Sequence, residues 1–236
     1  LIKAISFDVW NTLMKIDVLY KKLAESIYKH YGSKIGNIDI VYEKIRAVYL
    51  KAKEMRRRAE FDESRIVEES CRMMAKGLGL RLDQLKKCLV KVFASIPVEE
   101  LLFEDTLKAL RALREQGFMI AIVGNTLFWP SALTRLILHR SSIDELVDVA
   151  IFSDEVGVSK PDRRIFIELC NELGIEAARI AHVGDGVVED VGGALSAGMY
   201  GILIDRGAEG PIVIKRARVA VISNLMQIPK VIKELV

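Results

Sequence analysis

One short apolar strand, Ala4-Ile5-Ser6-Phe7, comes first, and no second strand pattern follows until Met119-Ile120-Ala121-Ile122-Val123. An isolated strand leaves its backbone N–H and C=O groups without partners. It must therefore join a sheet whose other strands come much later, and what lies between is an insertion into that domain. From Lys15 to Pro97 the pattern is helical. Segments 17–30, 38–57, 64–76 and 82–93 carry apolar residues three and four apart, as in Leu19, Leu23 and Ile27. Gly32-Ser33, Gly36-Asn37, Gly77-Leu78-Gly79 and Pro97 punctuate them.

From Phe103 onward, helices and strands alternate. Helices are expected over 105–116, 131–138, 163–173, 190–197 and 228–235, and strands over 119–123, 149–152, 180–183, 200–204 and 219–222. That alternation predicts an α/β domain with a doubly wound parallel sheet covered on both faces. Its expected extent is 1–13 and 98–236, interrupted by a helical domain, 14–97, lying over the active edge as a lid. The chain has 236 residues, 51% of them hydrophobic and 28% charged, which is enough to bury a sizeable core.

Several classes of partner are set aside on composition. A net charge of +3, dispersed along the chain, gives no nucleic-acid footprint. No apolar run approaches the roughly 20 residues that span a bilayer. Lys3 and Asp8 bracket only a short strand, so no secretory signal is read. Cys71, Cys88 and Cys170 are widely separated and form no C-x-x-C pair, so a reduced cytoplasmic protein is expected.

The chemistry gathers where strands end. Ligands of open α/β sheets bind outside the carboxyl ends of the strands, where sequence-distant residues converge. Asp8 follows the first strand, Gly124-Asn125-Thr126 the second, Lys160-Pro161 the third, and Gly184-Asp185 the fourth, with Glu189 and Asp190 just beyond. Two acids and a lysine at one edge suit a divalent cation and a phosphate-like anion, and the first acid is free to act as a nucleophile. Hard carboxylate oxygens suit Mg²⁺. Backbone N–H groups at Gly124, with Asn125 and Thr126, are placed to hold an anionic oxygen. Taken singly, each loop also fits a plain role: a strand-end turn at Asp8, a helix cap at Thr126 or Ser131, a solvated lysine at 160, a first-turn acid at Asp190.

Together the four loops resemble the haloacid dehalogenase superfamily of hydrolases, in that family's order and over nearly the whole chain. The most specific run is Ser153-Asp154-Glu155-Val156-Gly157-Val158-Ser159-Lys160-Pro161-Asp162, matched by Val183-Gly184-Asp185 and by Ala197-Gly198-Met199. The resemblance implies a Rossmann-like core with an α-helical cap inserted between the first two motifs. It implies Asp8 as the nucleophile forming an aspartyl-phosphate, and Mg²⁺ held by Asp8, Asp185 and the Trp10 backbone carbonyl. Asp190 would support the metal, Lys160 would steady Asp8, and Asn125 would orient the phosphoryl oxygens. The implied substrate is a small phosphorylated metabolite, and the implied assembly a monomer or homodimer.

Two positions depart from the family. Its phosphatases usually carry a second acid two residues after the nucleophile, where this chain has Trp10, and Ser or Thr where it has Gly124. Losing a general acid/base costs on the order of a hundred- to ten-thousand-fold in rate. An aromatic residue at position 10 is similar to the metal-independent 2-haloacid dehalogenases, but those lack the acidic pair kept here at Asp185 and Asp190. The expected activity is a Mg²⁺-dependent phosphohydrolase favouring leaving groups that need little protonation. The alternatives are a 2-haloacid dehalogenase or a catalytically degenerate ligand-binding relative. Arg56, Arg57 and Arg58 are read as a solvated helix face that can also reach an anionic tail. Phe128 and Trp129 are read as core packing that can also wall a pocket, and His182 as a hydrogen-bonded structural histidine.

Overall fold

The computed structural model describes residues 1–32 and 35–236. Ser33, half of the expected Gly32-Ser33 break, lies outside the described residues. In chain order the elements are β1 (Ala4–Phe7), α1 (Ile16–Tyr31), α2 (Ile38–Arg57), α3 (Ile66–Gly77), α4 (Leu82–Ser95), α5 (Val98–Leu101) and α6 (Thr106–Glu115). They continue as β2 (Met119–Gly124), α7 (Ser131–Arg140), β3 (Val149–Phe152), α8 (Ser153–Val156), α9 (Arg163–Leu173), β4 (Ile180–Gly184), α10 (Gly193–Ser196), β5 (Tyr200–Ile204), β6 (Ile212–Ile214), β7 (Val219–Ile222) and α11 (Ile228–Leu235).

Among the described residues these strands form one sheet in the order β3-β2-β1-β4-β5-β7-β6. β1 lies between β2 and β4, parallel to both, with Ser6 opposite Ala121 on one side and His182 on the other. Chain order runs outward from β1 through β2 and β3, then restarts at β4 on its other edge. This is the switch point at which α/β sheets bind ligands. Every residue of β1 and β4 is buried, so both sheet faces are covered there. One face packs Ala4, Ala121, Val123 and Ile180 against Ile165, Phe166 and Leu169 of α9 and Ala194 of α10.

The sheet departs from the all-parallel expectation in one strand. β6 pairs antiparallel with β7 at the edge, and Ile212 and Ile214 are exposed. An antiparallel edge needs no crossover helix, so a short connection suffices. A second departure concerns the helix expected over 190–197. It starts earlier, as a π-helical stretch at Val187–Gly192, before α10. Local capping sets other boundaries. Asp62 accepts from the Ser64 N–H and opens a 3₁₀ turn, so α3 begins at Ile66. Asp162 caps α9 through the Arg164 N–H, and Gly174 closes it in the left-handed region at φ 62°.

The chain divides into two compact units. One holds the sheet: Leu1–Lys15, Leu102–Asn125 and Ser142–Val236. The other is helical: Ile16–Leu101 with Thr126–Ser141. In the helical unit, α1 buries Leu19, Tyr20, Leu23 and Ile27, one stripe at helical spacing. The segment carrying α7 belongs with it because Arg140 donates to the Phe93 and Ile96 carbonyls, 2.8 Å each, satisfying acceptors that the end of α4 leaves open. Among the described residues no helix is long and apolar enough to cross a membrane.

Candidate active site

The ladder between β1 and β4 runs one residue past the end of β1, where the Asp8 N–H donates to the Val183 carbonyl at 2.8 Å. The chain then coils back. Asn11 takes a left-handed conformation (φ 63°), which asparagine tolerates better than most residues. Its Nδ2 reaches Asp185 Oδ2 at 3.4 Å, so the first and fourth loops meet. The Asp8, Asp185 and Asp190 carboxylates present oxygens within 4.8 Å of one another.

Lys160 reaches the same cluster although it lies in the third loop. Its ammonium, 1% exposed, donates to Asp8 Oδ1 (2.7 Å), Asp190 Oδ1 (2.7 Å) and the Val123 carbonyl (2.6 Å). An ammonium has three N–H bonds, and three acceptors surround this one. The Lys160 backbone is clamped as well: its N–H donates to Asn125 Oδ1 at 2.7 Å, and Asn125 Nδ2 donates to its carbonyl at 2.9 Å. The Asn125 amide, expected to face phosphoryl oxygens, thus has both ends on Lys160. Asn125 sets the lysine backbone through its oxygen and one of its two amide hydrogens.

Asp190, 3% exposed, is held just as closely. Oδ1 accepts from Lys160 and from His182 Nε2 (3.2 Å), and Oδ2 from the Gly186 N–H (2.8 Å). The carboxylate folds against bare backbone. A Cβ on Gly184 would overlap it, and one on Gly186 would stand 2.8 Å from Oδ2. The π-helical turn brings Asp190 back over β4, a geometry that often marks functional segments.

Burial pushes the Asp8 carboxyl up from 3.8 to about 7, against the pull of Lys160 and with further push from Asp190 and Asp185. Burial alone would lower the Lys160 pKa, but Asp190 and Asp8 overcome it, and the net shift is upward. Burial would raise Asp190 too, yet Lys160 and the His182 hydrogen bond hold it well below the usual carboxylate range. His182 goes down, chiefly through burial, and so stays neutral. Once Asp8 is ionised, three carboxylates stand against one ammonium, a surplus of two negative charges. A divalent cation on hard oxygens matches that surplus and that donor set.

Gly124 has a steric reason. A Cβ there would stand 2.6 and 2.7 Å from the Phe152 ring, and the register of β2 on β3 puts the two residues side by side. Trp10 is partly buried, two residues after Asp8, and brings no acid to that turn. Thr126, 3% exposed, is counted with the helical unit, where Phe128 and Trp129 are also buried. Trp129 packs on Phe93 (centroids 5.3 Å) and Tyr20 (6.3 Å), and Phe128 on Tyr49 (6.5 Å). These aromatics are core. Arg57 and Arg58 are exposed and Arg56 is half-buried. Sequence reasoning gave no role to Ser6 or Asn11. A serine and a histidine facing each other inside apolar strands were the available signal.

A family model described as haloacid dehalogenase-like hydrolase matches residues 2–198. The glyceraldehyde 3-phosphate phosphatase of Methanopyrus kandleri is 35% identical over 108 residues, 44% of this chain and 44% of that protein. The plasmid-borne phosphoglycolate phosphatase of Cupriavidus necator is 35% identical over 102 residues, 43% and 42% of the two chains. The chain thus spans less than half the length of these phosphatases. (S)-2-haloacid dehalogenase 1 of Pseudomonas sp. is 26% identical over 208 residues, 87% of this chain and 85% of that protein. Among solved structures, a HAD phosphatase from Thermococcus onnurineus superposes with a TM-score of 0.66 at 23% identity, covering 98% of both chains. A magnesium-bound putative HAD-hydrolase from Bacillus subtilis gives 0.76 at 14% identity, also covering 98% of both. At such identities the structural likeness speaks for the fold.

Proposed function

This chain belongs to the haloacid dehalogenase-like hydrolases, and we propose that within that family it is a Mg²⁺-dependent phosphohydrolase acting through Asp8. The observation that carries the reading is the Lys160 ammonium, held by Asp8 and Asp190 beside Asp185, a cluster with two surplus negative charges once Asp8 is ionised. Such a donor set would suit a divalent cation. An Asp8 carboxylate oxygen attacks phosphorus, the P–O bond to the leaving group breaks, and an aspartyl-phosphate forms. Water then attacks that phosphorus, inorganic phosphate departs and the carboxylate is regenerated.

Lys160 keeps Asp8 aimed and screens it from an approaching anion. Asp8 and Asp185 would hold Mg²⁺, with the Trp10 carbonyl as a further oxygen and Asp190 supporting. When bound, the ion neutralises charge that gathers on the phosphoryl oxygens. Trp10 cannot protonate a departing alkoxide, so acyl, aryl or enol phosphates are the favoured leaving groups. The names of two relatives, a glyceraldehyde 3-phosphate phosphatase and a phosphoglycolate phosphatase, support a small phosphorylated metabolite as the substrate class.

Trp10 and the dehalogenase-named relative keep a second reading in view, displacement of halide from carbon by Asp8. The negative surplus weighs against it, because a haloacid carboxylate would be repelled. Hydrolysis of an aryl phosphate, with and without Mg²⁺ and beside Asp8→Asn, decides between them. Mg²⁺-dependent turnover that disappears in Asp8→Asn is expected. Halide release from a 2-haloacid that persists in chelator would overturn the phosphohydrolase reading.

A further inference from the structure

The charged cluster extends backward into the sheet. Ser6 of β1 and His182 of β4 are register partners on the face covered by α9, and both are fully buried. Ser6 Oγ lies 2.8 Å from His182 Nδ1, and His182 Nε2 lies 3.2 Å from Asp190 Oδ1, the same oxygen that accepts from Lys160. The imidazole and the Phe166 ring meet nearly at right angles, centroids 5.0 Å apart and planes at 77°, which restrains the imidazole.

Donor and acceptor rules settle where the hydrogens sit. An ionised carboxylate only accepts, so the His182 nitrogen facing Asp190 carries the hydrogen, and Nε2–H donates. In a neutral imidazole Nδ1 is then bare and accepts the Ser6 hydroxyl hydrogen. Asp190 collects hydrogens from His182, Lys160 and Gly186, three of its roughly four acceptor positions. Little of Asp190 is left for a metal, and Asp190 is buried whereas Asp8 and Asp185 are each partly exposed.

We propose that His182, oriented by Ser6, is a positioning residue. It fixes the Asp190 carboxylate so that Lys160 is shared between Asp190 and Asp8, and neither His182 nor Asp190 binds the metal directly. The inference deepens the phosphohydrolase reading and rests on it for its kinetic arm. The chain Ser6–His182–Asp190–Lys160–Asp8 works from inside the sheet, and its effect reaches the nucleophile through the lysine. Its loss therefore appears in kcat, with KM and the Mg²⁺ requirement little changed. A histidine that merely filled space would leave kcat alone once folding was intact.

The test has two arms. The first reads ¹⁵N shifts of the imidazoles in the full chain at neutral pH. With three histidines in the sequence, comparison with His182→Gln assigns the signals. A protonated Nε2 and bare Nδ1 at His182 are expected, while the opposite tautomer or an averaging ring overturns the proposal. The second compares steady-state hydrolysis of an aryl phosphate by wild type, Ser6→Ala, His182→Leu and His182→Gln. Partners of this kind are worth roughly 10- to 100-fold. His182→Leu should lose kcat by about that much, with KM and half-saturating Mg²⁺ close to wild type. His182→Gln, which keeps a side-chain N–H near the position of Nε2, should recover most of the loss, and Ser6→Ala should fall between. Wild-type kcat in His182→Leu, or a Mg²⁺ requirement that weakens in step with kcat, would overturn the assignment. A wild type without turnover would sink the phosphohydrolase reading instead, and the imidazole shifts would still judge the hydrogen arrangement.

Discussion

Gly124→Ser restores the hydroxyl that the family usually carries at this place, and the geometry sets its cost. An ideal Cβ at 124 stands 2.6 Å from Phe152 Cε1 and 2.7 Å from Cδ1. That is about 1 Å inside the 3.5–4.0 Å optimum for carbon pairs. Phe152 is 1% exposed and anchored at the end of β3 directly opposite Gly124, so the ring has little room to withdraw. Overpacking of this kind costs about 1–3 kcal/mol. In a protein of this size each kcal/mol lowers Tm by about 2–4 °C. Phe152→Val is destabilising by itself, because it empties a buried site, but it removes the obstruction. The double variant should therefore be less damaged than the sum of the singles, by about 1–3 kcal/mol of coupling. Urea unfolding of the four proteins, followed by two optical probes so that a separate transition of either unit is seen, measures the cycle. Gly124→Ser within about 0.5 kcal/mol of wild type, or additive costs, would refute the steric account of this glycine.

Two further outcomes follow from residues described above. Phe128 holds a left-handed backbone (φ 59°), and its N–H donates to Ser70 Oγ at 2.8 Å within the helical unit. Ser70→Ala leaves that buried N–H without its acceptor, and urea unfolding should register a loss of about 1–3 kcal/mol. An unchanged midpoint would show that Ser70 does not hold the Phe128 conformation. At Asp8 the folded pKa lies above the unfolded one, so in chelator the folded state keeps a proton that the unfolded chain has released. Its contribution to stability then declines as pH rises from 3.8 to about 7 and levels off above that. Mg²⁺ favours the ionised site, so the Mg²⁺-induced rise in Tm should be larger at pH 8 than at pH 5.5. Binding at a hundredfold excess over Kd is worth about 2.7 kcal/mol. Equal rises at both pH values would count against Asp8 as the group the cation replaces a proton on.

Much of this was legible because strand ends announce themselves. Ala4-Ile5-Ser6-Phe7 followed by Asp8, and Ile180–Gly184 followed by Asp185, are apolar runs that stop at an acid, and the sheet order turns that coincidence into proximity. β6 was missed because three residues, Ile212-Val213-Ile214, are too few to show alternation. The π-helical turn at Val187–Gly192 leaves no mark in composition, since its wider winding depends on how Asp190 returns over Gly184 and Gly186. Asn125 was assigned to substrate oxygens from its place after a strand. Its amide partner is Lys160, thirty-five residues on, which no local pattern encodes. His182 was read as a hydrogen-bonded core histidine. Which groups it bonds follows from the β1–β4 register and the fold of the next loop, both tertiary facts.

The placement of β1 between β2 and β4 also has a consequence for the birth of the protein. Asp8 is translated far ahead of Asp185, and at roughly 5–20 residues per second the interval is on the order of ten to thirty seconds. For most of it Asp8 has at most one flanking strand, because β2 ends at Gly124 and β4 only at Gly184. The helices of residues 16–101 make mainly local contacts and can form during that wait. The last wall of the acid cluster arrives with Asp190 and its turn. A nascent chain that stops short of Asp190 lacks one of the three carboxylates and one of the acceptors around the Lys160 ammonium.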